Sequence, residues 1–270
     1  MTHTEREPAY AGQFYPKDPT SLRRTVQSFI RDPETVLEAK AVLVPHAGYM
    51  YSGSVTGRVL SSVKLPRRVI LLGPNHSGWG EALALFPDGA WRTPLGPVPV
   101  DSELNRKLLS FCPELRADAS AHLKEHSLEV QVPFLQVLAP DCRISAICVG
   151  TAEYAALESL GHAMARVLLS LGEPVLLLSS SDMTHYESSD SAARKDRLAI
   201  NRILEVDPAG LYDTVIENGI SMCGFAPAVS VLTACVDLGA SVGRLIEYTN
   251  SGETSGDFQQ VVAYAGMVVL

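Results

Sequence analysis

The stretch RRVILLGP (67–74) is a short run of branched aliphatic residues that leads directly into the polar loop NHSGWG. Two further runs have the same character, AVLVP (41–45) and PVLLLSSSD (174–182). Such runs lack the alternation of a half-exposed strand and are typical of strands buried on both faces of a sheet. Segments with helical periodicity precede or separate these runs, for example 19–31 and 154–171. The sequence therefore predicts an α/β fold, a three-layer sandwich with helices on both faces of a central sheet.

The rest of the chain continues this alternation of strand and helix. Further helices are expected at 54–63, 101–110, 127–138, 193–206 and 226–239. Further strands are expected at 81–86, 143–150, 243–252 and 257–270. Pro133 should either kink its helix or mark the start of it. The last two strands are joined by a short Gly-containing turn, which favours antiparallel pairing and hence a mixed sheet.

The segment 87–100 interrupts the regular pattern. It contains four prolines and the turn-forming pair Asp88-Gly89, which predicts an extended excursion with little regular structure. No internal repeat, low-complexity tract or linker divides the sequence. We therefore expect a single domain over residues 1–270.

Composition excludes several classes of function. The chain has 270 residues, 22 basic and 30 acidic side chains, and a net charge of −8. This acidic balance argues against nucleic-acid binding, which needs basic surface, and more weakly against binding to an anionic membrane. No run reaches the roughly 18 apolar residues of a membrane span. The polar segment Met1–Tyr10 lacks the apolar core of a secretory signal, so a cytoplasmic location is expected.

The five cysteines are odd in number and show no C-x-x-C spacing. A disulfide framework is not expected in such a chain. Cys148 lies in an apolar run and Cys235 in a helical stretch, so both are interpreted as buried structural thiols. Cys223 directly precedes a predicted helix, whose N-terminus favours thiolate over thiol.

Metal-type side chains follow three of the predicted strands. His46 comes directly after 41–45, His76 after 67–74, and Asp182 ends 174–182, with His185 three residues on. Ligands of open α/β sheets bind beyond the carboxyl ends of the strands. We therefore expect these side chains to converge in one pocket.

Each of these residues also has a purely structural interpretation. His46 and His76 could be polar core groups, and His126 could start a helix with Ser127 as its cap. Asp182 could cap backbone amides in its own loop, and Cys223 could be a small buried residue in a turn. The remaining histidines occupy helical, surface or terminal positions and are predicted to be non-functional: His122, His162 and His3.

Imidazole, thiolate and carboxylate together suit iron(II), zinc or copper. The sequence lacks a Gly-rich phosphate motif, a serine nucleophile elbow and an H-E-x-x-H helix, which are the signatures of other common enzyme sites. The residues alone leave open whether a metal site forms.

Six ordered blocks resemble the Memo family, whose prokaryotic members are called AmmeMemoRadiSam system protein B. The resemblance runs from about residue 8 to the end. The blocks are AGQFYP (11–16), LVPHAGYMYSG (43–53), LLGPNHSG (71–78), EHSLEVQVPFLQ (125–136), SSSDMTHY (179–186) and CGFAP (223–227). The family is similar in fold to the LigB-type class III extradiol dioxygenases, which implies one domain with a central mixed sheet.

The resemblance also implies a ligand set. His46, His76 and Cys223 match the positions tied to metal binding, with Asp182 and His185 in the same pocket. The remaining imidazole of this pocket is that of His126. The dioxygenases typically hold iron(II) through two histidines and a carboxylate, so either Cys223 or Asp182 is the third ligand here. Iron(II) or copper is expected, with zinc as a further candidate.

Three functions follow as hypotheses. The first is a metal-dependent, dioxygenase-like redox enzyme in which His126, His185 and Asp182 serve catalysis. The second is a non-catalytic module that binds a metal or a peptide and acts with a radical-SAM protein and an AMMECR-type protein, the partners that the family name implies. The third, ranked lowest, is a metal-assisted hydrolase.

Overall fold

The computed structural model describes residues 5–270, and the prediction for His3 lies outside them. Its strands are β1 (Glu5–Arg6), β2 (Ala41–Val44), β3 (Arg68–Pro74), β4 (Leu83–Leu85), β5 (Ala90–Thr93), β6 (Gly96–Pro99), β7 (Arg116–Ala117), β8 (Arg143–Val149), β9 (Val175–Ser180), β10 (His185–Glu187), β11 (Gly243–Asn250) and β12 (Val261–Val269). Its helices are α1 (Pro19–Phe29), α2 (Tyr49–Ser61), α3 (Ser102–Phe111), α4 (Val132–Leu138), α5 (Tyr154–Leu171), α6 (Ser189–Leu204), α7 (Pro208–Glu217), α8 (Phe225–Asp237) and α9 (Gly252–Ser255).

A mixed sheet forms the centre of the molecule. Its strand order is β10-β12-β2-β9-β3-β8-β4-β7, and β11 pairs with the other side of β12. The four central strands β2, β9, β3 and β8 are parallel, whereas β4 is antiparallel to β8 and β12 is antiparallel to β2. The closing strands β11 and β12 are antiparallel to each other, as the short turn between them predicts.

Alternate residues of the central strands enter two separate cores, which confirms the three-layer arrangement. Ile70 and Leu72 of β3 pack with the face covered by α3, α5, α6, α7 and α8. Val69 and Leu71 pack with the opposite face, covered by α1, α2 and α4. Both sets are fully buried, which is why the strand sequence is apolar throughout instead of alternating.

The helices begin where the sequence carries start signals. The carboxylate of Asp18 accepts a hydrogen bond from the backbone of Ser21, and Pro19 occupies the first turn of α1. Asp101 caps α3 in the same way through the backbone of Leu104. Pro133 lies in the first turn of α4, after a short 3-10 turn. Of the two roles considered for this proline, it therefore marks the start of the helix.

The prediction for 87–100 was wrong. The segment forms the hairpin β5–β6, and β1 pairs in parallel with β5. Pro97 and Pro99 are tolerated because β6 is the edge strand of this small sheet. The hairpin is held from inside by Trp91, which is 1% exposed and has the guanidinium of Arg6 4.3 Å from its ring centre.

The sequence did not predict α7, α9, β1, β7 and β10, and two helices begin earlier than predicted, α2 at Tyr49 and α6 at Ser189. Within residues 5–270, no helix is both long and apolar enough to cross a bilayer. The carboxyl ends of β2, β3 and β9 lie at one edge of the sheet, and the polar residues that follow them are therefore brought together.

Candidate metal centre

Three imidazoles meet at the carboxyl edge of the parallel strands. His46 follows β2, His76 follows β3, and His126 lies just before the 3-10 turn that leads into α4. The ring of His46 is 5.2 Å from that of His76 and 5.3 Å from that of His126, centre to centre. His76 and His126 stack at 4.6 Å. The convergence predicted from the strand ends is therefore present.

A thiol completes this group. Cys223, two residues before α8, places its Sγ 3.2 Å from Nε2 of His46. One donor atom each from His46, His76 and Cys223 lie within 4.8 Å of one another. Ligands about 2.0–2.3 Å from a common ion have similar mutual separations. These three residues are thus spaced to hold one metal ion.

The hydrogen bonds around His46 decide which of its nitrogens faces the pocket. Nδ1 of His46 lies 2.9 Å from the hydroxyl of Ser180. That hydroxyl donates its single hydrogen to the carbonyl of Ser127, at 2.7 Å. Ser180 must therefore accept from Nδ1, which carries the proton. The lone pair of His46 is on Nε2, the atom beside Cys223.

Glu125 is a buried carboxylate beside His76. Its oxygens accept from the backbone N–H of His76 at 2.6 Å, from the backbone N–H of Ser127 at 2.8 Å, and contact Nδ1 of His76 at 2.9 Å. Burial alone would raise the pKa of Glu125, but the hydrogen bonds from the His76 ring and the Ser127 backbone help to outweigh it and hold the pKa at about 2. The residue is an anion at neutral pH.

A second cluster of metal-type residues, His76, Glu125 and His126, is also closely spaced. Its carboxylate is already occupied by three N–H groups. An ion there would displace the hydrogen bond between Glu125 and Nδ1 of His76. The group containing Cys223 needs no such rearrangement, so it is the better candidate.

Asp182 lies in the pocket but supports it in a different way. Its Oδ1 accepts from the backbone N–H of His46 at 2.7 Å, and its backbone carbonyl accepts from the Cys223 thiol at 3.7 Å. Burial raises the pKa of Asp182 above the ordinary value, against the opposing effect of the His46 backbone. The capping role considered for Asp182 is thus present, although the capped amide lies in a distant loop.

His185 is held beside the same pocket by the loop that leads to Cys223. Its backbone N–H donates to the hydroxyl of Ser221 at 2.8 Å, and its Nδ1 lies 2.9 Å from the Ser221 carbonyl. Because a carbonyl only accepts, Nδ1 carries a proton, and in the neutral ring the lone pair is on Nε2. His185 is partly exposed and lies outside the close group of donors.

The charge states of the other groups follow from their burial. Burial lowers the pKa of His46 to about 3, with a further contribution from His76, and lowers the pKa of His126 to about 4. Both imidazoles are neutral at pH 7 and able to bind a metal. Burial also raises the pKa of the Cys223 thiol, with Asp182 acting in the same direction. The thiolate predicted from the helix N-terminus therefore does not form without a cation, because burial outweighs the helix.

An aromatic wall borders His126. The rings of Phe14 and Tyr10 lie 4.7 and 5.4 Å from its ring. The segment that carries them is tied to Glu129, which accepts from the backbone of Ala9 and Tyr10, from the hydroxyl of Tyr15, and pairs with the buried guanidinium of Arg6 at 2.7 Å.

Sequence reasoning missed three supporting residues of the pocket: Glu125, Gln131 and Ser180. Gln131 donates to the Ser180 hydroxyl at 3.0 Å and to the Pro45 carbonyl at 2.8 Å. A signal was available for the first two, since both lie in the block EHSLEVQVPFLQ (125–136) that also carries His126. Polar side chains next to a buried apolar run indicate a hydrogen-bonded network.

The other histidines lie elsewhere. His122 is fully buried, so the surface alternative for it was wrong, and it contacts Cys148 at 3.3 Å. His162 is a partly exposed residue of α5 whose Nδ1 lies 2.6 Å from Asp237. A separate cavity of about 390 Å³, bordered by Lys40 and Val175, lies at the opposite edge of the sheet and contains none of the pocket histidines.

Comparison with known proteins agrees with this architecture. A crystal structure of an uncharacterized protein from Escherichia coli K12 aligns with 86% of this chain and all of its own, with a TM-score of 0.57 and 13% identity. This likeness shows the fold alone.

Sequence relatives are much nearer. A MEMO1 family protein of Methanopyrus kandleri is 42% identical over 98% of both chains. Another, from Aquifex aeolicus, is 42% identical over 98% of this chain and 99% of its own. A third, from Methanothermobacter thermautotrophicus, is 37% identical over 96% and 98%. The family model for Memo-like proteins matches residues 6–268, and the chain therefore belongs to the Memo family.

Proposed function

We propose that this protein holds one transition-metal ion through Nε2 of His46, His76 and Sγ of Cys223. The observation that carries the proposal is the mutual approach of these donors within 4.8 Å. The free lone pair of His46 faces the thiol, and the neutral state of this imidazole at pH 7 suits coordination. Cys223 would lose its proton on binding, as thiol ligands do.

The donor set narrows the choice of ion. Two imidazoles and one thiolate suit iron(II), copper and zinc, whereas magnesium and calcium prefer oxygen ligands. Copper is proposed because a thiolate favours a soft ion, and iron(II) because the resembled dioxygenases hold it; zinc ranks third. Asp182 is disfavoured as third ligand, since it belongs to neither of the two groups of closely spaced donor atoms.

We further propose that the site is that of a metal-dependent redox enzyme. Iron or copper would supply one-electron chemistry when bound. His126 and His185 are the candidates for proton transfer, since His126 is neutral at pH 7 and His185 presents a free Nε2. Asp182, whose pKa is raised by burial, is the third candidate for holding a proton.

Metal analysis of protein purified without chelator tests the proposal. We expect about one equivalent of iron or copper per chain in the wild type and loss of the metal in His46→Ala and Cys223→Ser. Oxygen consumption by the loaded protein with catechol-like or thiol substrates then tests the redox function. Wild-type protein that binds none of the three ions would overturn the proposed site.

A binding module is the second candidate, and one observation favours it. Two large apolar side chains next to pocket histidines are exposed, Tyr186 (75%) beside His185 and Trp79 (49%) in the loop after His76. Exposed aromatic groups of this kind are common where a protein partner docks. Pull-down of a radical-SAM or AMMECR-type partner, lost in Tyr186→Ser but retained in His46→Ala, would support this function.

A further inference from the structure

Glu125 has more partners than a loop connection requires. It is 0% exposed and receives two backbone N–H groups, from His76 and Ser127, which join the loop after β3 to the start of the 125–131 segment. These two bonds alone would satisfy a structural role. The third contact, from Oε1 to Nδ1 of the His76 ring at 2.9 Å, is made to a side chain.

That third contact fixes the imidazole in two respects. Both oxygens of Glu125 already accept backbone N–H groups, so Nδ1 of His76 donates to Oε1, and in the neutral ring Nε2 carries the lone pair. The same residue supplies the acceptor for the His76 backbone N–H, so the ring is tied to the position of its own main chain. The lone pair is thereby directed away from Glu125.

The two candidate imidazole ligands are held by different kinds of acceptor. His46 donates to the neutral hydroxyl of Ser180, whereas His76 donates to a buried anion. A carboxylate acceptor makes the opposite ring nitrogen a stronger base and fixes its direction, as in the carboxylate–histidine–metal arrangement of many metalloproteins. His76 is also the more exposed of the two rings, with a side chain that is 35% exposed against 1% for the whole of His46. It therefore depends more on a specific partner for its orientation.

We infer that Glu125 is a positioning residue that directs Nε2 of His76 toward His46 and Cys223. It acts through the ring of His76 and has no role as a ligand. The inference rests on the proposed metal site for its consequence, but the tautomer of His76 is a property of the metal-free protein.

Long-range ¹H–¹⁵N correlation spectra of the metal-free wild type test the tautomer directly. The His76 signal is assigned by its loss in His76→Ala. At a pH at which the ring is neutral, we expect Nδ1 to be protonated and Nε2 to be unprotonated. A neutral wild-type His76 ring with its proton on Nε2 would overturn the inference, whether or not the protein binds a metal. This experiment does not require a Glu125 variant to fold.

Cobalt(II) titration of Glu125→Gln tests the consequence. The thiolate-to-cobalt(II) charge-transfer band reports the bond to Cys223, and the ligand-field bands of cobalt(II) report the geometry of the whole ligand set. We expect a loss of affinity of about 10–100-fold and altered ligand-field bands, which is the usual effect of removing such a partner. An affinity within about twofold of the wild type, with unchanged bands, would contradict the inference.

Glu129→Gln is the matched control. It makes the same change four residues on, at another fully buried carboxylate, which contacts the N-terminal segment and none of the three proposed ligands. We expect it to bind cobalt(II) with nearly wild-type affinity even if it melts at a lower temperature. Equal loss in both variants would reduce Glu125 to a structural role. Wild-type protein that binds no metal would overturn the proposed function. The tautomer of His76 would still be tested by the ¹H–¹⁵N spectrum of the metal-free protein.

Discussion

Residues 5–270 contain two histidine–cysteine contacts of almost the same length. Nε2 of His46 lies 3.2 Å from Sγ of Cys223, and Nδ1 of His122 lies 3.3 Å from Sγ of Cys148. Distance alone does not distinguish them. Their surroundings differ in the number of donors that converge and in access from solvent.

His122 uses both ring nitrogens within the protein, since its Nε2 lies 3.1 Å from the carbonyl of Ala84. The rings around it are Phe86 and Trp91, at 5.5 and 5.6 Å, and neither His122 nor Cys148 is exposed. His46 has two further imidazoles beside it, and Cys223 is partly exposed. A histidine and a cysteine in contact thus form part of a core in one case and of a candidate metal centre in the other.

The largest difference is expected in metal binding. His46→Ala removes one of three proposed ligands, and we expect metal affinity to fall by about 10³-fold or more, which is about 4 kcal/mol. His122→Ala removes no proposed ligand and should keep one equivalent of metal. Calorimetric titration of both variants with copper or iron(II) measures the contrast, and equal losses would show that the two contacts had been wrongly separated.

For the stability of the metal-free protein, the larger effect is expected at the contact between His122 and Cys148. His122→Ala leaves a cavity among Phe86 and Trp91 and removes the partners of two buried polar groups, so we expect a loss of about 3 kcal/mol. Cys223→Ser, at the partly exposed contact, should lose less than about 1 kcal/mol. Urea denaturation of the metal-free proteins decides this, and a Cys223→Ser loss as large as that of His122→Ala would contradict it.

Added metal should stabilise the protein in proportion to its binding. Ligand at 100 times Kd contributes about 2.7 kcal/mol, which raises the Tm. The shift should persist in Cys148→Ser and shrink or vanish in Cys223→Ser. A Cys223→Ser variant with the full shift would remove Cys223 from the ligand set.

Acidification should act on both regions of the metal-free protein in the same direction. Burial lowers the pKa of His122 from 6.5 to about 3, with Arg6 acting the same way. The unfolded chain therefore binds more protons than the native protein between these values, so stability falls as the pH falls from about 6.5 toward 3 and is unaffected above 6.5. Each such histidine contributes at most about 1.4 kcal/mol per pH unit. His122→Gln should show a shallower loss of urea stability over this range, and an unchanged slope would contradict the assignment.

Much of the architecture was predictable from the sequence. The buried parallel strands have a distinctive composition, and α5 was predicted with both boundaries correct because its apolar periodicity is long and Gly172 ends it in a left-handed conformation. Helix α7 was missed although Asp207 and Pro208 are clear start signals. The hairpin β5–β6 was missed because the four prolines of 87–100 argued against regular structure, although an edge strand tolerates them.

The site was predictable only as a set of residues. Strand ends and family blocks indicated His46, His76, His126, Asp182, His185 and Cys223, and the structure brings them to one edge of the sheet. The roles assigned to them stay predictions. The protonation of Cys223 depends on burial depth and the tautomer of His46 on the single hydrogen of Ser180. Neither the burial depth of a thiol nor the direction of a hydroxyl hydrogen is indicated by a sequence pattern.

Anomalous diffraction from crystals of protein purified without chelator tests the central claim most directly. The proposed site predicts one strong peak, at the iron or copper edge, within bonding distance of His46, His76 and Cys223, with nothing at His122 and Cys148. A peak bound by Asp182 or Glu125 in place of Cys223, or metal-free density in crystals grown with excess ion, would contradict it.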